Sequence, residues 1–336
     1  MRRILSLVLC FTFIVAGVTG CANSQQAENK KTQGEESVTA QTSADTSETN
    51  KTSSGEADTK VVDTIMGPVE IPANPKRIAS ALIGITGNLV ALDAIPVGTA
   101  TQSGFPNYIK DKLTGSVDLG ETESINLEAL MELEPDLIIG IESYHKEQYK
   151  LLSEIAPTIL LKSVSDDWGT LETIAELVGK QDSASVLKKE YDKRSSKIQQ
   201  SLKDKYPQGA KVAYMRVQGK ELQILNPAST YYESLYRDMN WLSASEGVVD
   251  FGDGWNATIS MEALPQLDMD YIILAIRPDE ASQQAYAELK KSAVWQSLAV
   301  VKEEKVAIVD ANIWFASSDP IALNVRLDNI EDMMLR

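Results

Sequence analysis

Short runs of Ile, Val and Leu alternate along the chain with longer stretches in which apolar residues recur every three or four positions. The runs predict strands from Arg77 to Ala81, Pro96 to Thr99, Leu137 to Ile141, Thr158 to Leu161, Lys211 to Val217, Leu222 to Leu225, Tyr271 to Ile276 and Val306 to Val309. Several are apolar throughout, as expected of strands buried on both faces. Helical periods fall from Thr86 to Leu92, Asn126 to Leu133, His145 to Ile155, Thr170 to Val178, Ala184 to Tyr206, Thr230 to Met239, Ser260 to Leu267, Gln283 to Lys290 and Pro320 to Met334. Strand alternating with helix predicts an α/β fold with largely parallel sheets. The stretch from Ala184 to Tyr206 is the longest, with Leu187, Tyr191, Ile198 and Leu202 as an intermittent apolar face. Gly179 precedes it and Pro207-Gln208-Gly209 follows it, both helix boundaries. It lies midway along the patterned part. The expected organisation is therefore one α/β lobe over 61–180, a connecting helix over 181–207, and a second α/β lobe over 208–336.

One phrase occurs twice. INLEALMELEPDLII begins at Ile125 and ISMEALPQLDMDYII at Ile259, and eight of their fifteen positions match without a gap. Asn126 and Ser260 are suited to N-cap roles. Each is followed by an apolar face (Leu127, Leu130, Leu133 and Met261, Leu264, Leu267) and then by a turn with an aspartate, Asp136 or Asp270, leading into a buried strand. The two lobes read as pseudo-duplicates. Glu128 and Glu262 sit in the first turn of each predicted helix. A carboxylate there complements the helix dipole by roughly 0.3–1 kcal/mol, which explains either one singly. Two equivalent carboxylates, one per lobe, also make a two-point clamp for a partner with quasi-two-fold symmetry.

The N-terminal end departs from this pattern. Arg2 and Arg3 precede an apolar run from Ile4 to Val18, short for a membrane span, and small residues follow. This is the form of a secretory signal. Val18-Thr19-Gly20-Cys21 resembles a bacterial lipobox, which makes 1–20 the signal peptide and Cys21 the lipidated residue. From Ala22 to about Lys60 the chain is rich in Ser, Thr, Gln and Glu and has no aromatic residue. Such a segment cannot bury enough apolar surface to offset its ordering entropy, so 21–60 is expected to be a flexible tether reaching about 35–40 Å. A tether of that length favours a Gram-positive surface. The only cysteines are Cys10 and Cys21, so the folded part is expected to hold no disulfide. Without the two signal arginines the chain has 30 basic against 48 acidic residues, a net charge of −18. That balance argues against nucleic-acid binding and for a self-repelling monomer.

VVDTIMGPVEIPANPKRIAS, LVALDAIPVGTA and the first copy of the repeated phrase resemble the ferric-siderophore and cobalamin class of ABC-transporter substrate-binding lipoproteins. ISMEALPQLDMDYIIL is similar to the second-lobe counterpart in that class. The resemblance spans nearly all of 61–336. It implies two Rossmann-like lobes joined by one rigid helix, a ligand held between them, no intrinsic cofactor, and little hinge motion. It also implies that Glu128 and Glu262 dock onto arginines of the paired permease subunits, and that the protein sits on the outer face of the cytoplasmic membrane through its lipid alone.

In open α/β sheets ligands lie beyond the carboxyl ends of the strands. The second lobe places Arg216 and Arg277 there, where few other basic residues occur. Arginine offers a planar fork of donors suited to carboxylates and other oxyanions; the plain alternative is pairing with Glu221 or Asp279. Trp314, Trp168, Tyr144 and Trp255 are the aromatic candidates for the cleft, each with a core role as the alternative. His145 is the sole histidine. A receptor for bare zinc or manganese wants several, so no direct metal ligands are assigned and iron is expected already wrapped in a hydroxamate- or citrate-type siderophore. Haem, held by a single His or Tyr, and cobalamin remain open. GITGN does not match a phosphate-loop spacing and no Gly-x-Ser-x-Gly elbow occurs, so an enzyme is not expected. A surface hydrolase or an adhesin is the remote alternative.

Overall fold

The computed structural model describes residues 58–101, 104–164, 167–229, 232–316 and 318–336. The signal, Cys21 and nearly all of the expected tether lie outside these residues. Structure begins slightly earlier than the pattern placed it: Thr59 and Lys60 already belong to β1 (Thr59–Thr64), which pairs antiparallel with β2 (Gly67–Pro72). One face of this hairpin, carrying Val62, Val69 and Ile71, packs onto the first lobe's core.

The first lobe is a five-stranded, all-parallel sheet of β3 (Ile78–Ser80), β4 (Gly98–Thr99), β5 (Val117–Asp118), β6 (Leu137–Ile141) and β7 (Thr158–Leu161) in the order β5-β4-β3-β6-β7. Its helices are α1 (Ile83–Ala91), α2 (Asn107–Lys110), α3 (Leu127–Glu132), α4 (Glu142–His145), α5 (Tyr149–Ile155) and α6 (Asp167–Val178). The single helix expected from His145 to Ile155 is two, separated by a turn. Next comes α7 (Gln181–Lys205), close to the expected connecting helix.

The second lobe holds β8 (Ala210–Gln218), β9 (Glu221–Leu225), β10 (Trp241–Ser243), β11 (Asn256–Thr258), β12 (Tyr271–Ile276) and β13 (Val306–Asp310). Their order is β11-β9-β8-β12-β13, with β10 also pairing β8. This sheet is mixed rather than largely parallel. Only Gly219 and Lys220 separate β8 from β9, Gly219 takes φ +59°, and a two-residue turn can only return antiparallel. Helices α8 (Glu233–Asp238), α9 (Glu280–Lys291), α10 (Ala293–Ser297), α11 (Ala299–Lys302) and α12 (Pro320–Met334) complete it.

The repeated phrase has a structural meaning beyond its glutamates. Asp136 accepts from the backbone N–H groups of Lys76 (2.6 Å) and Arg77 (2.9 Å), pinning the start of β3. Asp270 accepts from the N–H of Lys211 (2.8 Å), pinning the start of β8. The helices differ, however. Asn126 caps α3, its side chain accepting from Ala129 N–H at 3.1 Å. Ser260 makes no side-chain cap, and Met261–Gln266 is a 3₁₀ helix containing Pro265. Proline has no N–H to return to Met261, so the expected α-helix tightens instead.

Helix α7 divides its buried face between the lobes. Ala184 packs into the first core, while Ile198 and Leu202 pack into the second, the larger two each contributing roughly 1.5–3 kcal/mol by burial. A second connection was not foreseen. Ile321 of α12 packs against Ile109, Leu113 and Val90 of the first lobe. Asp319, the N-cap of α12, is fully buried and accepts from Tyr108 Oη at 2.7 Å as well as from the N–H groups of Ile321 and Ala322, both at 3.0 Å. Arg194 of α7 holds the other side of α12 through Asn324, Asp328 and Glu331. The lobes are thus joined by α7 and by this seam.

Candidate functional site

In the second lobe the two-residue turn fixes the register that opposes Arg216 to Gln223, and Gln223 in turn opposes Thr258 of β11. The three side chains form a row on the face of the sheet that carries Tyr214. Arg216 Nε donates to Gln223 Oε1 at 2.7 Å. Gln223 Nε2 donates to Glu221 Oε2 at 2.8 Å, which also accepts from Thr258 Oγ1 at 3.2 Å. The acid expected as an alternative partner for Arg216 is therefore held one residue away by a neutral amide.

The Arg216 guanidinium lies 4.4 Å from the Trp255 ring centroid and 5.4 Å from that of Phe315, both within cation–π range. Trp255 is 38% exposed, and its loop is fixed by Asn226, whose N–H donates to Trp255 O (2.9 Å) and whose Nδ2 donates to Gly254 O (2.9 Å). Beneath the arginine, Tyr214, Tyr232 and Phe315 pack ring against ring at 5.0–6.3 Å. No carboxylate forms an ion pair with Arg216 among the described residues. Burial holds its guanidinium below the ordinary value; the nearby Arg277 acts in the same direction, and Tyr232, Tyr214 and Glu221 oppose it. It remains a cation at any working pH.

Arg277 is exposed just past β12 and makes no ion pair among the described residues. Asp279, its expected alternative partner, instead caps α9 by accepting from Ser282 N–H (2.9 Å) and Oγ (2.7 Å). Two cations thus lie near the carboxyl ends of β8 and β12, Arg216 over an aromatic floor and Arg277 exposed, and an anion would relieve their mutual repulsion.

The other expected cleft residues make no contact with Arg216 among the described residues. Trp314 is 2% exposed: its Nε1 donates to Asn329 Oδ1 at 2.9 Å, and its carbonyl accepts from Tyr214 Oη at 2.6 Å. It is a core residue, and its neighbour Phe315 supplies the ring that reaches Arg216. The π-helical turn Asn312–Ala316 sets which of the two faces outward. Trp168 is half-buried at the junction with α7, 5.2 Å from the Tyr191 ring and under Lys188. Tyr144 is 41% exposed past β6 in the first lobe, with its ring 6.3 Å from His145. Neither meets Arg216. Sequence reasoning missed Gln223 and, although Tyr232 and Phe315 fall in the segments just past the second lobe's strands, did not single them out as parts of this constellation. A cavity of about 450 Å³ lined by Val217, Leu222, Ile259 and Leu289 also takes in Glu221 and Thr258 at the far end of this network, but not Arg216 itself.

His145 is fully buried. Its Nε2 lies 3.0 Å from Thr122 O, and its Nδ1 lies 3.0 Å from both the N–H and the carbonyl oxygen of Ile141. Burial lowers its pKa, so it is neutral with both nitrogens engaged and offers none to a metal or a haem iron. Among the described residues no cluster of three metal-ligating side chains occurs. Glu128 and Glu262 are both exposed at the starts of their helices, and neither forms an ion pair among the described residues. No helix of the described residues is long and apolar enough to cross a membrane.

Known proteins place this architecture. The chain is 28% identical to a probable siderophore-binding lipoprotein of Bacillus subtilis, YfiY, over 100% of this chain and 99% of that one. It is 26% identical to the iron(3+)-hydroxamate-binding protein YxeB of the same organism, over 80% of this chain and 83% of that one. Among solved structures, Staphylococcus aureus SirA complexed with staphyloferrin B superposes with a TM-score of 0.67 at 24% identity, covering 82% of this chain and 98% of that one. The Bacillus subtilis iron-uptake system-binding protein FeuA gives 0.69 at 22%, with 82% and 99% covered. These two likenesses show the two-lobed α/β fold. The periplasmic binding protein model matches residues 75–313, and the chain belongs to that family.

Proposed function

We propose that this chain is the substrate-binding lipoprotein of an ABC importer and captures a ferric siderophore of hydroxamate or citrate type between its lobes. The observation that carries the reading is Arg216: a half-buried cation with no ion pair among the described residues, stacked on Trp255 and Phe315 and near Arg277, at the carboxyl ends of the second lobe's strands. A chelated ferric ion presents anionic oxygens on a compact, partly apolar body, which suits such a floor. The relatives named for siderophore and ferric-hydroxamate binding support the same ligand class. In this reading the protein is a receptor rather than an enzyme. It acts as a monomer held by lipid on Cys21 to the outer face of the cytoplasmic membrane. Glu128 and Glu262, one exposed carboxylate per lobe, meet the paired permease subunits.

The test is a tryptophan-fluorescence titration of the chain beginning at Ala22, using ferric citrate, ferric hydroxamates, ferric catecholates, haem and cobalamin. Trp255 sits in the site and reports directly. Quenching at sub-micromolar ferric hydroxamate or citrate is expected. Replacing Arg216 with Ala should weaken it roughly 10- to 100-fold, the scale of a hydrogen bond to a charged group. Response to haem or cobalamin alone would move the ligand and overturn the siderophore reading.

A further inference from the structure

The second lobe keeps an acid and a base close together without letting them pair. Glu221 and Arg216 occupy adjacent strands on one face, and Gln223 stands between them with both ends of its amide engaged: Oε1 takes Arg216 Nε at 2.7 Å, and Nε2 gives to Glu221 at 2.8 Å. Glu221 is further occupied by Thr258. Gln223 itself is buried, 9% exposed, while Glu221 and Thr258 at the far end of this chain of bonds are exposed. Had position 223 carried a carboxylate, Arg216 would be neutralised by a fork-to-fork pair. Had it carried an aliphatic group, Nε would be loose and Glu221 free to swing toward the guanidinium. The amide does neither. It fixes Nε, and the two Nη groups make no hydrogen bond among the described residues.

We propose that Gln223 is the positioning residue that gives the cleft its charge preference: it leaves Arg216 fixed but without an ion pair, so that with Arg277 it selects ferric complexes presenting an anionic oxygen face over neutral ones. This rests on the reading of the Arg216 cleft as the ferric-siderophore site, and it narrows that reading to the anionic, carboxylate-bearing class.

The experiment titrates the chain beginning at Ala22, as wild type, Gln223→Glu and Gln223→Met, with two probes: ferric citrate, which is anionic, and a neutral ferric trihydroxamate. The wild type should prefer ferric citrate. Gln223→Glu should weaken ferric citrate at least about 30-fold while changing the trihydroxamate less than about threefold, because it cancels the charge on Arg216. Gln223→Met keeps the volume and removes the acceptor, and should cost ferric citrate about tenfold. If Gln223→Glu fails to fold beside Glu221, the methionine variant decides. Equal losses for both probes would reduce Gln223 to a structural role, and unchanged affinities or a wild-type preference for the neutral complex would overturn the proposal. These outcomes leave the receptor reading standing. A wild type that binds neither complex, nor any other ferric siderophore, removes that reading and this one together.

Discussion

Gly87 of α1 faces the seam between the lobes, and replacing it with Ala tests whether that seam is a real joint. A Cβ at position 87 would lie 2.2 Å from Asp319 Oδ2, 2.4 Å from its Cγ and 2.8 Å from its Cβ. Ordinary contact needs about 3.4 Å or more, so something must shift by about 1 Å. The carboxyl has no route away. Oδ1 is fixed by the N–H groups of Ile321 and Ala322, Oδ2 by Tyr108, and the residue is fully buried. Losing the cap costs about 0.5–2 kcal/mol, and losing the Tyr108 bond to a carboxylate costs about 1.5–3 kcal/mol. Alanine returns about 1 kcal/mol through its better helix propensity. The net expectation is a destabilisation of about 1–4 kcal/mol, or a Tm lower by about 3–12 °C for a protein of this size. Thermal melts followed by circular dichroism measure it. In an Asp319→Gly background, where the obstructing atoms are gone and glycine still serves as an N-cap, Gly87→Ala should cost nothing or stabilise slightly. A Tm unchanged in the wild-type background, or an equal drop in both backgrounds, would refute the reasoning.

The Asp319 carboxyl also gives the seam a pH signature. Burial holds it above the usual carboxylate range despite its three donors. A raised folded-state pKa contributes stability that is fully present below the unfolded value, near 3.9, and is lost as pH rises through the folded value. Asp319→Asn keeps an acceptor for the cap and removes that titration, so its Tm relative to wild type should climb between pH 3.5 and 7; a flat or falling difference sinks the argument. For the docking pair, Glu128→Ala with Glu262→Ala should abolish siderophore uptake by cells while leaving ligand affinity within about twofold and stability within about 2 kcal/mol; normal uptake would remove the docking role. The two neighbours Trp314 and Phe315 should separate cleanly. Trp314→Ala should cost about 3–5 kcal/mol of stability, whereas Phe315→Ala should mainly weaken ligand binding by loosening Arg216. A binding loss without destabilisation at Trp314 would place its side chain in the site after all.

What could be read from the chain was what repeats over several residues. The buried strands β6, β7 and β12 appear at their expected limits because runs of consecutive apolar residues leave no other reading. The strand expected from Pro96 to Thr99 survives as the two residues of β4, whereas β5 with two residues and β10 and β11 with three are too short to show a pattern of their own and exist only through their neighbours. The signal for Gln223 was present and unused: the Gln218-Gly219-Lys220-Glu221 turn fixes the hairpin register and so places Gln223 opposite Arg216. Trp314 could not be separated from Phe315, because a π-helical turn shifts which side chain faces inward without leaving a mark in composition. The Gly87–Tyr108–Asp319 seam joins residues far apart in the chain, and local pattern carries nothing about such a meeting.

The pseudo-duplication explains why the frame was easier to read than the site. The constant offset that carries Ile125 onto Ile259 also relates Asp136 to Asp270, Arg77 to Lys211, and Glu128 to Glu262, and it relates the pairing of Ile78 with Leu137 to that of Val212 with Tyr271. Strand register, the pinned strand starts and the exposed helix-start carboxylates therefore obey the internal symmetry. The cations do not. The positions equivalent to Arg216 and Arg277 are Leu82 and Ser143, and the position equivalent to Trp255 is Glu121. Symmetry is kept where a partner of quasi-two-fold form would have to be met, and broken where one anionic ligand would have to be gripped. A single anion needs its charge matched once, and a second set of arginines across the cleft would leave uncompensated cations facing each other whenever the ligand is absent. On this argument the asymmetry of charge belongs to the second lobe, whose equivalents in the first lobe are the uncharged Leu82 and Ser143.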